Sequence, residues 1–414
     1  MKILVIGSGA REHALARSLS QDPSVTELHA APGNPGIAQH ALLHSCDITV
    51  PDEIADLAAE LMVDLVVIGP ELPLVAGAAD AVRARGIACF GPSALAARIE
   101  GSKAFAKEIM AAAGVPTARS RTCHTLGEVG EALDEFGAPF VVKDDGLAAG
   151  KGVVVTSDRE LALAHAAGCR SVVVEEFLDG PEISLFGITD GETVLALEPA
   201  QDFKRVGDGD TGGNTGGMGA YSPLSWAPSD LVERVRSEIL QPTIDEMRRR
   251  DTPFVGLLYA GLALTSQGLK VIEFNARFGD PETQVLLVRL RTPLASVLYR
   301  AATGSLDEEP ALEFGTEAAV TVVIAAAGYP SETRTGDEIS GLEGASGVGA
   351  IVFQAGTKTE GGRLVSAGGR VLSVTGVGRD LTAARDVAYR GIEAIALAGS
   401  IHRTISRWWQ RMIR

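Results

Sequence analysis

The sequence predicts a chain of α/β and α+β character in three parts: an N-terminal parallel-sheet domain (1–100), a mixed central domain (101–312) and a small C-terminal α+β or barrel-like domain (313–414). Three observations carry this. Short β-branched runs alternate with helical patterns up to residue 91, as in a parallel sheet covered by helices. The elements then become shorter and mixed until about residue 310. From Glu317 onward, strands follow one another between Gly- and Thr-rich turns.

In order, Ile3–Ile6 reads as the first strand, and Gly7-Ser8-Gly9 turns it into a helix running through Ser20. Val63–Ile68 and Ile87–Phe90 read as further buried strands, with helices at Ile54–Met62 and Gly77–Arg85. In such a sheet ligands sit at the carboxyl ends of the strands, which here carry Gly7–Gly9, Pro32-Gly33-Asn34 and Gly69-Pro70-Glu71. A helix from Ser102 to about Ala113 is stopped by Gly114-Val115-Pro116. Strands follow at Phe140–Lys143, Val153–Thr156, Val172–Glu175, Ile183–Thr189 and Val194–Glu198. Asp202–Pro223, with seven glycines, reads as a loop and Ser229–Arg250 as a long charged helix. The last part holds strands Ala319–Ala326, Ala350–Gln354 and Val371–Val374 and a helix near Leu381–Leu397.

Lys and Arg total 37 against 53 Asp and Glu, a formal charge of −16, which argues against a general nucleic-acid binder. Hydrophobic residues at 46% and charged ones at 22% mark an ordinary globular chain. Cys46, Cys89, Cys123 and Cys169 form no C-x-x-C pair, so no zinc knuckle or redox dithiol is readable. The longest apolar run, Ala318–Ala327, is too short to span a bilayer, and no signal peptide is visible. A cytoplasmic protein with no membrane partner is expected. Neither an H-E-x-x-H motif nor a G-x-S-x-G elbow occurs, so covalent Ser or Cys catalysis has no support.

Four segments carry chemistry. Gly7-Ser8-Gly9-Ala10-Arg11-Glu12 opens like a dinucleotide fingerprint, but Glu12 stands where the third glycine belongs and would repel a pyrophosphate. The turn is either a plain strand–helix connection or the seat of a single phosphate with Arg11 as counter-charge. Lys143–Gly152 is a glycine-containing hairpin flanked by Lys143 and Lys151. It feeds a strand, not the helix a Walker loop requires, and reads as a mobile cover for phosphates or as an ordinary surface hairpin. Glu175-Glu176-Phe177-Leu178, with Glu182 beyond, reads either as a hinge for an adenine edge and ribose hydroxyls or as solvated acids. On the strand Val271–Asn275, Glu273 and Asn275 are i and i+2 and share one face, while Ile272 and Phe274 turn to the core. A carboxylate beside an amide oxygen suits Mg²⁺, which takes few protein ligands and completes its shell with phosphates. Arg277 then stands within reach of a phosphoryl group. The plainer alternative is polar residues on a sheet face.

IGSGAREHA (6–14), APGN (31–34), FGP (90–92), EGSKAF (100–105), DGLAAGKGV (145–153), EEFLDG (175–180), NTGGMGAYSP (214–223), LLYAGL (257–262) and IEFNARFGDPETQ (272–284) together resemble the glycinamide ribonucleotide synthetase (phosphoribosylamine–glycine ligase) family of ATP-grasp enzymes. The resemblance runs in family order over nearly the whole chain. It implies a central ATP-grasp domain with a mobile lid at about 117–181. It also implies ATP-dependent ligation of glycine to 5-phosphoribosylamine through glycyl phosphate, in purine biosynthesis. ATP with Mg²⁺ or Mn²⁺, the small molecules glycine and 5-phosphoribosylamine, and a transient contact with the enzyme that makes phosphoribosylamine are the implied partners. On this reading Lys103 and Lys143 contact the nucleotide and Lys151 closes over its phosphates. Glu175, Glu176, Phe177 and Leu178 form the adenine hinge, Glu182 meets the ribose, and Arg205 and Asn214 add nucleotide contacts. Glu273 and Asn275 are the metal ligands, while Arg277 and Asp280 serve the reacting substrates.

Several positions depart from the family pattern. Asp144 stands where Ala is usual and would add negative charge near phosphates, and Phe203 occupies a place often held by His. The segment Ala166–Ser171 is short, and Leu257–Leu264 lacks the second metal carboxylate of many ATP-grasp enzymes. The tail Ile401–Arg414 reads as an amphipathic helix, with a basic stripe at Arg403, Arg407, Arg411 and Arg414 and an apolar stripe at Ile401, Ile405, Trp408 and Met412. Because every matched chemical residue lies before position 285, removing Arg403–Arg414 is expected to leave turnover within about threefold and to lower thermal stability through lost Trp408 or Trp409 burial.

Overall fold

The structure is a computed structural model that describes residues 1–147 and 152–405. Its first sheet is parallel, ordered Leu42–Leu43, Glu27–Pro32, Lys2–Gly7, Leu65–Ile68, Ala88–Phe90. The helices Ala10–Ser20, Pro51–Glu60 and Ala78–Ala84 connect and cover it. The strands Glu27–Pro32 and Leu42–Leu43 escaped the sequence reading because neither carries a β-branched run.

The second sheet is antiparallel, ordered Ser120–Cys123, Val172–Glu175, Phe140–Asp144, Val153–Thr156. With helices Leu126–Phe136 and Arg159–Ala167 it encloses its own small core, including Val129, Leu133, Val142 and Val174. This is the segment read as a lid. The third sheet runs Val194–Ala196, Glu182–Asp190, Val255–Thr265, Gly268–Asn275. Helix Lys103–Ala113 is capped by the Ser102 hydroxyl at its start and by Gly114, in the left-handed region, at its end.

The fourth sheet runs Gln201–Asp202, Gly219–Ser222, Ala318–Ala325, Arg370–Gly378, Ile351–Gln354, with helix Leu381–Ala394 packed on it. Asp202–Pro223 is therefore not a loop. Its ends belong to this sheet, and between them Arg205–Gly207 and Thr211–Asn214 form a hairpin. Ladder hydrogen bonds need only backbone, so glycine-rich strands carry no side-chain pattern to read. Gly209 and Gly212, at φ +67° and +79°, supply its turn. The long charged helix is likewise interrupted: Leu231–Val235 passes through a π segment, Arg236–Leu240, into Gln241–Arg249. The widened turn directly precedes Pro242, which has no N–H to give to a regular helical bond.

The tail reading also changes. Ile401–His402 is a strand paired with Ile324 and Ala325. Burial alternates beyond it, Arg403 and Ile405 inside and Thr404 outside, which is the two-residue period of extended chain rather than a helix. Arg407, Trp408, Trp409, Arg411, Met412 and Arg414 lie outside the described residues. No helix among the described residues is long and apolar enough to cross a membrane.

Candidate active site

Between the lid sheet, the strand Gly268–Asn275 and the glycine-rich hairpin lies a cavity of ≈ 1060 Å³. Lys103, Lys143, Glu175, Glu176, Phe177, Leu178, Glu182, Arg205, Asn214, Glu273, Asn275, Arg277 and Asp280 all line it. Lys151 lies outside the described residues.

Glu273 and Asn275 sit opposite Gly261 and Tyr259 on the neighbouring strand. Gly261 matters here, because a Cβ there would stand 3.3 Å from Glu273 Cγ. The ladder is irregular just before Glu273, where Ile272 is the extra residue of a bulge. Ile272 therefore lines the cavity and is only partly buried, whereas Phe274, which also borders the cavity, is buried in the core as expected. The bulge also frees the Ile272 carbonyl, which accepts from Lys143 Nζ at 2.9 Å. Among the described residues neither Glu273 nor Asn275 makes a side-chain hydrogen bond or ion pair, although Glu273 feels the charge of Lys204 across the cavity. Two adjacent hard oxygen donors suit Mg²⁺ or Mn²⁺. No three Asp, Glu, His or Cys side chains converge on one point among the described residues, so the rest of such an ion's shell would come from phosphates and water.

The lid wall holds paired charges. Glu175, buried, lies 3.0 Å from Lys143 Nζ and 3.1 Å from Lys107 Nζ. Burial outweighs the pull of Glu175 on Lys107 and brings its ammonium down to about 8. Lys103 Nζ donates to the Gly146 carbonyl at 2.9 Å, and Asp145 accepts from Ser102 Oγ and the Ala104 N–H, so the lid turn is tied to the start of helix Lys103–Ala113. Asp144 does not line the cavity: its carboxylate lies beside the Cys169 thiol, which corrects the expectation of added negative charge near phosphates. Glu176 turns away to Arg119 at 2.8 Å and Lys270 at 3.1 Å. Its N–H donates to the Arg119 carbonyl, leaving the Glu176 carbonyl and the Leu178 N–H without a backbone partner among the described residues. Phe177 is half exposed beside them.

Across the cavity, Glu182 pairs with Lys204 at 2.8 Å. Burial lifts Asp202 to about 7; Lys204 opposes this, while Glu282, Glu182 and Glu273 add to it. Glu282, at the start of helix Glu282–Leu287, accepts from Tyr259 Oη at 2.9 Å and Ser184 Oγ at 3.1 Å. Asp202 and Glu282 thus bring further carboxylates to the site from outside Leu257–Leu264.

At the far end stand the carboxyl ends of the parallel strands. Glu12 folds back so that its carboxylate accepts from the Gly9 N–H at 2.6 Å and from Arg11 Nε at 2.5 Å. A Cβ at Gly69 would lie 2.1 Å from Glu12 Oε1, so the glycine turn is filled by the protein's own acid. Arg277 reaches Glu71 and Glu100, each at 3.2 Å. Desolvation works against its charge, but those two acids hold the guanidinium well above its ordinary range. Asp280 is 3.0 Å from Arg370, which crosses from the C-terminal sheet. Burial pushes the Asp280 carboxyl up, yet Arg370 and Arg11 bring it below its usual range, so it stays ionised. Arg370, Glu282, Glu71 and Glu100 were not assigned to the site from the sequence. Glu71 stands in a marked strand-end turn, Glu100 opens EGSKAF and Glu282 lies in IEFNARFGDPETQ, so those motifs could have pointed to them; Arg370 carries no local signal.

The phosphoribosylglycinamide synthetase family matches this chain in three parts: its N domain over residues 1–100, its ATP-grasp (A) domain over 101–283 and its C domain over 319–404. A phosphoribosylamine–glycine ligase of Streptomyces coelicolor is 65% identical, covering 98% of this chain and 98% of its own. One from Mycobacterium leprae is 55% identical over 97% of each. A crystal structure of the phosphoribosylamine–glycine ligase of Thermotoga maritima superposes with a TM-score of 0.85 at 31% identity, covering 97% of this chain and 99% of that one. The chain belongs to the phosphoribosylglycinamide synthetase family and is an ATP-dependent carbon–nitrogen ligase of purine biosynthesis.

Proposed function

We propose that this cavity joins glycine to 5-phosphoribosylamine, converting ATP to ADP and phosphate and yielding glycinamide ribonucleotide. The observation that carries the reading is the free oxygen face of Glu273 and Asn275 in one cavity with Lys103 and Lys143, next to the Arg277–Asp280 corner. Adenine is assigned to the open backbone groups of Glu176 and Leu178 beside Phe177, and ribose to Glu182. Arg205 and Asn214 complete the nucleotide side. Glu273 and Asn275 would hold Mg²⁺ or Mn²⁺, which when bound neutralises phosphate charge. Lys143, preset by Glu175 and the Ile272 carbonyl, and Lys103 bring positive charge to the phosphates, and Lys151 adds to it from the lid.

In the first step a glycine carboxylate oxygen bonds to the γ-phosphorus as the bond to the bridging oxygen breaks, releasing ADP. In the second, the phosphoribosylamine nitrogen bonds to the glycyl carbonyl carbon. Phosphate departs with the C–O bonding pair and the nitrogen gives up a proton. Positioning, charge neutralisation and exclusion of water from the acyl phosphate do this work, so no covalent nucleophile is required. The ionised Asp280 is assigned to the glycine ammonium and Arg277 to the substrate phosphate. The reading keeps three units, 1–100, 101–312 and 313–414, with 117–181 as the moving lid. The test is ADP release by the full chain, expected only when glycine and phosphoribosylamine are both present. Release without either, or none with both, overturns the proposal.

A further inference from the structure

We infer that Arg403, at the end of the C-terminal sheet, is a positioning residue for nucleotide binding: it anchors the hairpin whose Arg205, Asp210 and Asn214 line the cavity. The inference rests on the reading that this cavity takes ATP. The base of the hairpin is continued toward the C-terminal sheet by the Thr215 N–H, which donates to the Lys204 carbonyl, and the Met218 N–H, which donates to the Phe203 carbonyl, each at 2.8 Å. Beyond that base its ladder has two paired positions with an irregularity between them, and its glycines offer little to pack. A two-stranded ribbon is marginal without further contacts, so its outer part depends on what it is tied to.

The support comes from the last described residues. Arg403 Nη2 donates to Asp210 Oδ1 at 2.7 Å, and Nη1 donates to the Arg205 carbonyl at 3.2 Å. The Thr404 N–H donates to Asp208 Oδ1 at 2.7 Å. Arg403 is itself a fixed post, only 3% exposed, with its guanidinium 4.8 Å from the centre of the Phe203 ring. Tyr389 Oη donates to the Arg403 carbonyl at 2.7 Å and accepts from the Ile405 N–H at 2.6 Å, tying the segment to helix Leu381–Ala394. Arg403 does not line the cavity, so any effect on nucleotide passes through the residues it holds, the hairpin and Phe203 at its base. The expectation that removing Arg403–Arg414 leaves turnover within about threefold concerns rate and stability, and a loss of nucleotide affinity is added to it.

The test measures KM for ATP, KM for glycine, kcat and thermal unfolding on the full chain, with ADP titration as a separate binding readout. Arg403→Ala raises KM for ATP and Kd for ADP about tenfold, a change of about 1.4 kcal/mol, while KM for glycine stays within about twofold. Arg403→Lys keeps the charge toward Asp210 but loses the fork, so it recovers part of the loss, to about threefold. Asp208→Ala removes the Thr404 anchor from an exposed residue outside the cavity, raising KM for ATP about twofold at unchanged melting temperature. If Arg403→Ala does not fold, Asp208→Ala and Arg403→Lys decide the matter. A fall in melting temperature or kcat with KM for ATP and Kd for ADP unchanged in all folded variants overturns the inference. A wild-type chain that binds ADP but never couples glycine and phosphoribosylamine overturns the proposed function instead.

Discussion

Charged groups on the lid side of the cavity are engaged by protein, whereas the side chains of Glu273 and Asn275, at the end of the strand Gly268–Asn275, make no hydrogen bond or ion pair among the described residues. Lys143 and Lys107 share Glu175, Glu176 lies between Arg119 and Lys270, and Lys103 donates to Gly146. Glu273 and Asn275 face the same space with no side-chain hydrogen bond or ion pair among the described residues. A paired wall is preset, because its charges stand in place before a ligand arrives. A free pair spends nothing on the fold and is satisfied only by what binds. Substitutions in the first wall should therefore move stability and binding together. Substitutions in the second should remove chemistry and leave stability alone.

The largest effect expected is from Glu273→Ala: turnover falls about a thousandfold or more, ~4 kcal/mol of barrier, while the melting temperature stays within about 2 °C. Turnover assays and thermal unfolding check it, and activity above about 5% of wild type would count against the metal assignment. Lys151→Ala comes next, with turnover down roughly ten- to a thousandfold and ADP affinity little changed, if its charge acts on the phosphates as proposed. A steep loss of nucleotide affinity at unchanged rate would instead make it a ground-state contact. Glu175→Ala tests the paired wall. Removing one partner of a buried pair can cost about 3–5 kcal/mol, but the lysines keep other acceptors: Ile272 for Lys143, and Thr117 and Ala118 for Lys107. A loss of about 2 kcal/mol in unfolding free energy is expected, together with weaker nucleotide binding. An unchanged melting temperature would break the contrast between the walls.

Legibility followed the same divide. Elements marked by β-branched runs, such as Val153–Thr156 and Val172–Glu175, lie where the sequence put them. The hairpin Arg205–Asn214 did not declare itself, because its pairing is carried by backbone and glycine. At the site, lysines and acids inside dense local motifs could be named from the chain alone. Arg370 reaches it from the C-terminal sheet, and Arg403 reaches the hairpin beside it; no spacing in the sequence records either. Glu12 was legible as an obstacle to a dinucleotide; that it fills the turn beneath Gly69 depends on two strand ends meeting in the fold.

The smallest effect belongs to Glu176, the part of the paired wall nearest solvent. Its partial burial would raise the carboxyl, but hydrogen bonds from Arg119 and Lys270 prevail and bring it down to about 2. In the unfolded chain a glutamate titrates near about 4.3. A carboxylate depressed on folding stabilises fully above the unfolded value and loses that contribution as pH falls toward the folded one. The stabilisation from Glu176 should thus be constant from pH 7 to about 5 and decline between about 4.3 and 2. Arg119 is largely exposed, so solvent screening limits the total to about 1 kcal/mol. Denaturant unfolding of wild type and Glu176→Gln across pH 7 to about 3.5 reads this directly: a modest gap at neutral pH that narrows in acid. A gap that held constant to the lowest pH, or widened, would mean that the Glu176 charge contributes nothing through Arg119 and Lys270. The lid wall would then be held by Glu175 alone.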